Sequence, residues 1–253
     1  MNEFVVHDLH PNATVRATGT MPPLPPALDR EVERLWQRAC IRVEAGGAGR
    51  LFNGRVFSID RIEPHSIIGH LTEYRRLVAQ MEDRRLFPAL GIRSLSTCGI
   101  LRAAGGVPFG QRPAAAIYQP GMWQMPPAGS VDSHAVGPEG TVDLAGQMLR
   151  ELREELGLDP AQVGTPIPLC VVEHDGSHVS DCGMAIPTDL AACEILAAHR
   201  ARGNNEYAAL RIVPETEIPA FVAWAGEALV PPAREFLFRV GLLDQGLSPP
   251  TAP

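Results

Sequence analysis

The sequence predicts an α/β fold: an α/β/α sandwich around a mixed sheet, preceded by a smaller α+β region. Three observations carry that expectation. From residue 95 onward, stretches with the two-residue alternation of strands are interleaved with stretches whose apolar residues recur every three to four positions, as on helices. One helical stretch sets Ala145, Met148, Leu149, Leu152 and Leu156 on one side and a row of glutamates on the other, the pattern of a helix lying on a core. Finally, 253 residues with 45% hydrophobic content can fill a sizeable core between layers.

Taken in order, residues 1–26 read as an N-terminal arm. A short strand is expected around Phe4-Val5-Val6, and the paired prolines of Met21-Pro22-Pro23-Leu24-Pro25-Pro26 forbid helix and sheet ladders. Residues 27–92 form the α+β extension. Its first element is a helix over 27–43, with Leu28, Val32, Leu35, Trp36 and Ala39 on one face and Asp29 and Glu31 in the first turn, where the helix dipole favours them. Gly46-Gly47-Ala48-Gly49 is a turn; as a phosphate loop it lacks the preceding strand and the following lysine. A strand is expected over 51–59, a partner for it over 65–71, and a short helix over 72–81. Residues 93–245 make the main domain, with strands at 95–103 and 114–117, the glutamate-bearing helix, strands at 167–174 and 180–187, a helix at 189–201, a strand at 206–213, and helices near 215–229 and 232–242. Residues 246–253 read as a flexible tail.

Composition narrows the function. A formal charge of −7 argues against a nucleic-acid backbone as partner, since that binding rests on basic surface. All 22 basic residues are arginine, which excludes Schiff-base chemistry and the lysines of P-loops and kinases. The five cysteines are odd in number and contain no C-x-x-C pair, and the first residues lack a basic segment followed by an apolar run; both fit a reduced, cytoplasmic protein. No stretch reaches the roughly 18 apolar residues of a membrane helix. The expected partner is therefore a small molecule, with oligomeric state left open.

The chemistry is concentrated in Arg150-Glu151-Leu152-Arg153-Glu154-Glu155-Leu156-Gly157-Leu158. Glu151, Glu154 and Glu155 sit three and four apart, so their carboxylates would project side by side. Such a cluster repels itself unless a cation sits in it, and carboxylate oxygens are the hard ligands that magnesium and manganese prefer. Gly157 fits a helix C-cap. This stretch resembles the second half of the Nudix box, G-x5-E-x7-R-E-U-x-E-E-x-G-U with U aliphatic, and matches it at every fixed position. In the first half, Pro127-Ala128-Gly129 is similar to the family's P-A-G or P-G-G, whereas the position eight before Arg150 is Val142 instead of glutamate. Only Glu139 and Asp143 lie near that position, so residues 133–141 read as an insertion in the loop. The strand Leu51-Phe52-Asn53-Gly54, followed by Thr72-Glu73-Tyr74-Arg75-Arg76, resembles the extension of a Nudix subgroup that includes UDP-sugar hydrolases, as does Asp143-Leu144-Ala145-Gly146-Gln147.

The resemblance implies a Nudix fold and a Mg2+- or Mn2+-dependent pyrophosphohydrolase acting on a nucleoside diphosphate linked to another group. Best fitted is a UDP-glucose-like nucleotide sugar, cleaved to a nucleoside monophosphate and a sugar phosphate. ADP-ribose, coenzyme A or a prenyl diphosphate remain alternative substrates, and a non-catalytic nucleotide sensor a different class of function. Glu151 and Glu155 would be principal metal ligands, Glu154 a ligand or the base that orients water, the Ala128 carbonyl a further ligand, and Arg150 the partner that holds a glutamate in place. Glu206, ahead of the last strand, would be a further catalytic glutamate, with a polar strand-start residue as the bland alternative. Arg112 is placed near substrate, with Arg102, Arg55 and Arg93 as weaker phosphate candidates. Tyr118, Trp123 and Tyr74 could stack on a base, although aromatics on strands more often fill cores. His174, His178 and Cys182 have zinc-compatible spacing, but Asp175-Gly176 marks a hairpin turn there. Specificity is expected from loop 133–141 and the extension.

Overall fold

Alternating apolar segments pair into the sheet that organises the molecule. The computed structural model describes residues 4–19, 21–47 and 50–244; the expected tail at 246–253 and half of the 46–49 turn lie outside them. In order, the elements are β1 (Phe4–Asp8), β2 (Thr14–Ala17), α1 (Pro26–Ala45), β3 (Arg55–Glu63), β4 (Ser66–Glu73), α2 (Tyr74–Glu82), α3 (Phe87–Leu90), β5 (Ser94–Ala104) and β6 (Val107–Gln111). There follow β7 (Trp123–Gln124), β8 (Ala128–Ser130), α4 (Leu144–Leu156), β9 (Ile167–His174), β10 (Val179–Ala191), α5 (Ala192–Arg202), β11 (Ala209–Val213), α6 (Ile218–Ala225) and α7 (Pro232–Arg239). The large sheet runs β1-β9-β10-β5-β3-β4-β2, with β8 also paired to β5, and a smaller sheet runs β11-β6-β7. The large sheet is mixed: β5 and β10 are parallel, as are β2 and β4, while β9 and β10, and β3 and β4, are antiparallel.

The period-two alternation of β5 separates two cores. Leu95 and Leu101 face one side, where they join Met148, Leu152 and Leu156 of α4 and Ile195 of α5. Cys98 and Ile100 face the other, where they join Phe109 of the small sheet, Phe221 of α6 and Phe236 of α7. Elements on both faces of a mixed sheet make this an α/β fold. The extension is not set apart from that sheet, since Ile59 N–H donates to the Arg93 carbonyl at 2.8 Å and Phe57 N–H to the Val131 carbonyl at 2.8 Å. Its helices α1 and α2 pack on each other through Val32, Leu35 and Ala79.

Several boundaries differ from the sequence-based expectation. The arm is more than a linker: β1 adds to the β9 edge of the sheet and β2 to the β4 edge. The strand expected at 114–117 is a loop, held by the Ala116 and Gly121 N–H groups donating to the Pro113 carbonyl, and the strand lies earlier, at β6. The helix expected over 215–229 is only α6, ending where Gly226 takes a positive φ of 52°. Around residues 174–178 the hairpin wins over zinc: His178 N–H donates to the His174 carbonyl at 2.8 Å, and its ring stacks on Phe87. Among the described residues no helix is long and apolar enough to cross a membrane.

Candidate functional site

Helix α4 is fixed at both ends by its own residues. Asp143 caps the start by accepting from Gly146 N–H at 2.8 Å. Gly157 closes the end in the left-handed conformation, φ 65°, where an added Cβ would stand 2.8 Å from the Ala198 carbonyl oxygen of α5. Leu144, Met148, Leu152 and Leu156 bury one face. On the other side the three glutamates do not share one environment. Glu154 is exposed, Glu151 half-buried, and Glu155 fully buried at 0% exposure.

Helix α5 and the segment after it dock against the end of α4. Arg202 Nε donates to the Gly157 carbonyl at 2.9 Å and Asn204 N–H to the Glu154 carbonyl at 3.0 Å. This docking carries Glu206 to the glutamates. Burial pushes the Glu155 carboxyl well above the usual carboxylate range, with the Glu206 and Glu151 charges adding to the shift. Glu151 is pushed up to about 7, first by burial and then by Glu154 and Glu206. Glu206 is raised by burial, against the opposing pull of Arg112. The four carboxylates are therefore electrostatic neighbours, and their direct partners are neutral. Glu151 accepts from Gln147 Nε2 at 2.6 Å. Glu155 accepts from Ala128 N–H at 3.0 Å and from the Tyr207 hydroxyl at 2.6 Å.

Strand β8 passes directly under α4. A Cβ on Gly129 would lie 2.2 Å from Glu151 Oε1, so only glycine lets the strand and the carboxylate approach this closely. Beyond Glu155 runs a chain of hydrogen bonds. Gln124 Nε2 donates to the Tyr207 oxygen at 2.8 Å, Arg112 Nη1 to Gln124 Oε1 at 2.9 Å, and Arg112 Nε to the Tyr118 carbonyl at 2.9 Å. The chain ends at a cavity of about 200 Å³ between α2, β5, the 112–119 loop and β8. Ala128, Gly129, Arg112, Tyr118, Tyr74 and Glu206 all border it.

No family model and no curated protein matches this sequence. Among solved structures, DR0079 from Deinococcus radiodurans aligns over 73% of this chain and 98% of its own, with 18% identity and a TM-score of 0.46. The α/β assignment therefore rests on the sheets and helices described above.

Of the residues singled out from sequence, the structure brings Glu151, Glu154, Glu155, Glu206 and Ala128 together at one end of α4. Arg112 and Tyr118 line the adjoining cavity. Arg150 is placed differently from the expectation: it donates to Asp132 at 3.2 Å and to Gln147, not to a glutamate of the box. Arg102 is elsewhere, with Nε and Nη2 each 2.8 Å from the Glu215 carboxylate. Arg93 is committed to Glu173. Trp123 packs edge-on against Phe221 in the core. Loop 133–141 does not border the cavity but turns toward the arm, where Ala17 N–H donates to the Gly140 carbonyl at 2.7 Å. The extension does border it, through Tyr74, Leu77 and Met81.

Sequence reasoning missed Tyr207, Gln124 and Asp181. Tyr207 and Gln124 are distant in sequence from the glutamates they serve. Asp181 carried one local signal, an acidic residue just before the apolar run Cys182–Pro187 of strand β10.

As they stand, no three histidine, cysteine, aspartate or glutamate side chains among the described residues converge closely enough to hold an ion. The donor set nevertheless fits a hard divalent cation, because it is all oxygen, like-charged and, among the described residues, without an ion-paired partner. Closure of the Glu151 and Glu155 carboxyl groups around a cation would replace their mutual repulsion with attraction.

Proposed function

We propose that this protein is a metal-dependent pyrophosphohydrolase of the Nudix type, acting on a nucleoside diphosphate linked to another group, with a nucleotide sugar of the UDP-glucose kind as the leading substrate. One observation carries the reading: the three glutamates of a helix with the R-E-L-R-E-E-L-G-L pattern, joined by Glu206 from the segment after α5, repel one another beside an arginine-bearing cavity. Glu151, Glu155, Glu154 and the Ala128 carbonyl would hold Mg2+ or Mn2+. Bound there, the ion supplies Lewis acidity and charge neutralisation at a phosphoryl group.

The chain's own residues divide the remaining work. Tyr207 and Ala128 N–H hold the Glu155 carboxylate against strand β8, on the side from which the Ala128 carbonyl would join it. Glu154, open to solvent, would take a proton from the attacking water where it is not itself a ligand, with Glu206, which feels its charge, as the alternative acceptor. Arg112 uses Nε and Nη1 within the protein, which leaves Nη2 to meet a phosphate oxygen. Water adds to one phosphorus, the bridging P–O bond breaks, and a nucleoside monophosphate and a sugar phosphate leave.

The test incubates the protein with Mg2+ and a panel of nucleotide sugars, ADP-ribose, coenzyme A, a prenyl diphosphate and nucleoside triphosphates. Turnover of a nucleotide sugar, lost in Glu155→Gln with the fold retained, is the expected result. Turnover confined to another diphosphate would move the substrate and keep the chemistry. Calorimetric binding of a nucleotide with no product over hours would identify a sensor instead, and an unchanged rate in Glu155→Gln would remove that residue from the ligand set.

A further inference from the structure

Asp181 lies in the middle of β10, flanked by the buried Ser180 and Cys182. Along this strand Cys182, Met184 and Ile186 face the α4 core, so the alternation turns Asp181 to the opposite face, where it borders the cavity. Its Cα partner in the parallel ladder is Ser96 of β5, which borders the same cavity. Among the described residues neither side chain makes a hydrogen bond to protein. Arg112 acts on Asp181 from beyond ion-pair range, its near donors already given to Gln124 and the Tyr118 carbonyl. The Tyr118 ring stands close enough to feel the Asp181 charge, yet its hydroxyl pairs with Ser177 Oγ at 3.1 Å. Half-buried and facing the open cavity, this carboxylate keeps its oxygens within reach of a ligand, and among the described residues no protein donor competes for them.

The position in the sheet says which part of a ligand this is. Ser130 of β8, beside the α4 carboxylates, pairs with Ser96 from the side opposite Asp181. Asp181 and Ser130 are thus two strand spacings apart, about 9–10 Å. An anion beside Asp181 would be repelled, so the group it receives is neutral and rich in donors. At about 200 Å³ the cavity is below the roughly 300–1,000 Å³ of pockets that enclose drug-sized ligands, which suits one ring and not a whole nucleotide sugar.

We infer that Asp181, with Ser96 beside it, is a specificity-determining residue that accepts hydrogen bonds from the vicinal hydroxyl pair of a sugar ring. A carboxylate presents two separate acceptor oxygens, one for each hydroxyl proton, whereas an amide or a serine presents a single acceptor oxygen. Ribose and hexose each offer such a pair, cis in ribose and trans in glucose. This inference rests on the diphosphate-hydrolase reading only in placing the phosphate-bearing half of the ligand toward α4.

Binding of uridine, 2′-deoxyuridine and methyl glucoside to the full chain, measured by ligand-observed NMR in EDTA, tests it without turnover. Wild type should bind at least one diol, and Asp181→Asn should weaken that binding about tenfold, with Asp181→Glu restoring part of it. If ribose is the ligand, 2′-deoxyuridine should lose the same factor on wild type and nothing more on Asp181→Asn; if hexose is, only methyl glucoside should respond. Absence of diol binding up to about 10 mM, or equal binding by a folded Asp181→Asn, overturns the inference. Diol binding that depends on Asp181 in a protein that hydrolyses no diphosphate would overturn the hydrolase reading alone. Hydrolysis with an unchanged KM in Asp181→Asn would overturn this inference alone.

Discussion

Gly129→Ala separates the position of Glu151 from its chemistry. The new methyl would stand 2.2 Å from Glu151 Oε1 and 2.3 Å from its Cδ, whereas ordinary contact begins near 3.4 Å, so the carboxyl group must retreat by about 1.2 Å. The backbone of Gly129 is not in the left-handed region, so alanine is tolerated there. The obstacle is the end of a flexible side chain and not backbone. The stability cost is accordingly about 1 kcal/mol, chiefly the weakened hydrogen bond from Gln147. The catalytic cost should be larger, since displacement of a working group by about 1 Å can cost on the order of 100-fold. The assay is kcat/KM on the substrate found by the panel at saturating Mg2+, with folding checked by circular dichroism and urea unfolding. Gly137→Ala, whose methyl meets only the Thr141 carbonyl at an ordinary 3.5 Å, is the control and should leave the rate unchanged. A Gly129→Ala protein that folds and keeps its rate within about threefold would refute a role for the Glu151 position.

Three further outcomes follow from the geometry. Tyr207→Phe removes one of the two donors to buried Glu155 and the acceptor for Gln124, and should cost about 1–3 kcal/mol in urea unfolding; no measurable loss would contradict the buried relay. Burial raises Asp181 from 3.8 to about 7, so its protonated form favours the folded state fully below 3.8 and that contribution is lost as pH rises through about 7. The stability of wild type minus that of Asp181→Asn should therefore fall by about 2–4 kcal/mol between pH 4 and 8, and a constant difference would refute the assignment. Arg102→Ala breaks a half-exposed pair with Glu215 and a hydrogen bond to the Val240 carbonyl; it should cost about 1 kcal/mol and leave turnover intact, and a large rise in KM would return Arg102 to the substrate site.

The parts of the fold legible in sequence are those whose burial repeats within one element. Helices α1 and α4 announce themselves through Val32, Leu35, Trp36 and Ala39, and through Met148, Leu152 and Leu156. Strands β9 and β10 do so through the apolar runs Ile167–Val172 and Cys182–Pro187. Strand β6 was hidden because Pro108 and Gly110 read as loop, and the reason for Gly110 lies far away in the chain: a Cβ there would stand 2.3 Å from the Tyr207 ring. Conversely, the apolar run at 114–117 imitates a strand but has no ladder partner. Strand β2 spans only Thr14–Ala17 with one buried residue, and exists because β4 offers it an edge.

The site divides along the same line. Glu151, Glu154 and Glu155 fall within two turns of one helix, so their grouping is local and visible. What distinguishes them is not local: Glu155 is buried because β8 and Tyr207 cover it, while Glu154 has no such cover. The same contrast explains Val142, where the resemblance would place a glutamate. It is 5% exposed in the α4 core and donates its N–H to the Val15 carbonyl at 2.8 Å, so this stretch holds β2 and the arm. A carboxylate there would be buried among Leu144, Met148 and Val15 without a partner, at a cost of several kcal/mol. The fourth carboxylate at the cluster comes instead from Glu206, carried in by the docking of α5 on Gly157. A loss in one part of the motif and a gain across the fold thus leave the negative charge at the end of α4 undiminished, which is the property a divalent cation would read.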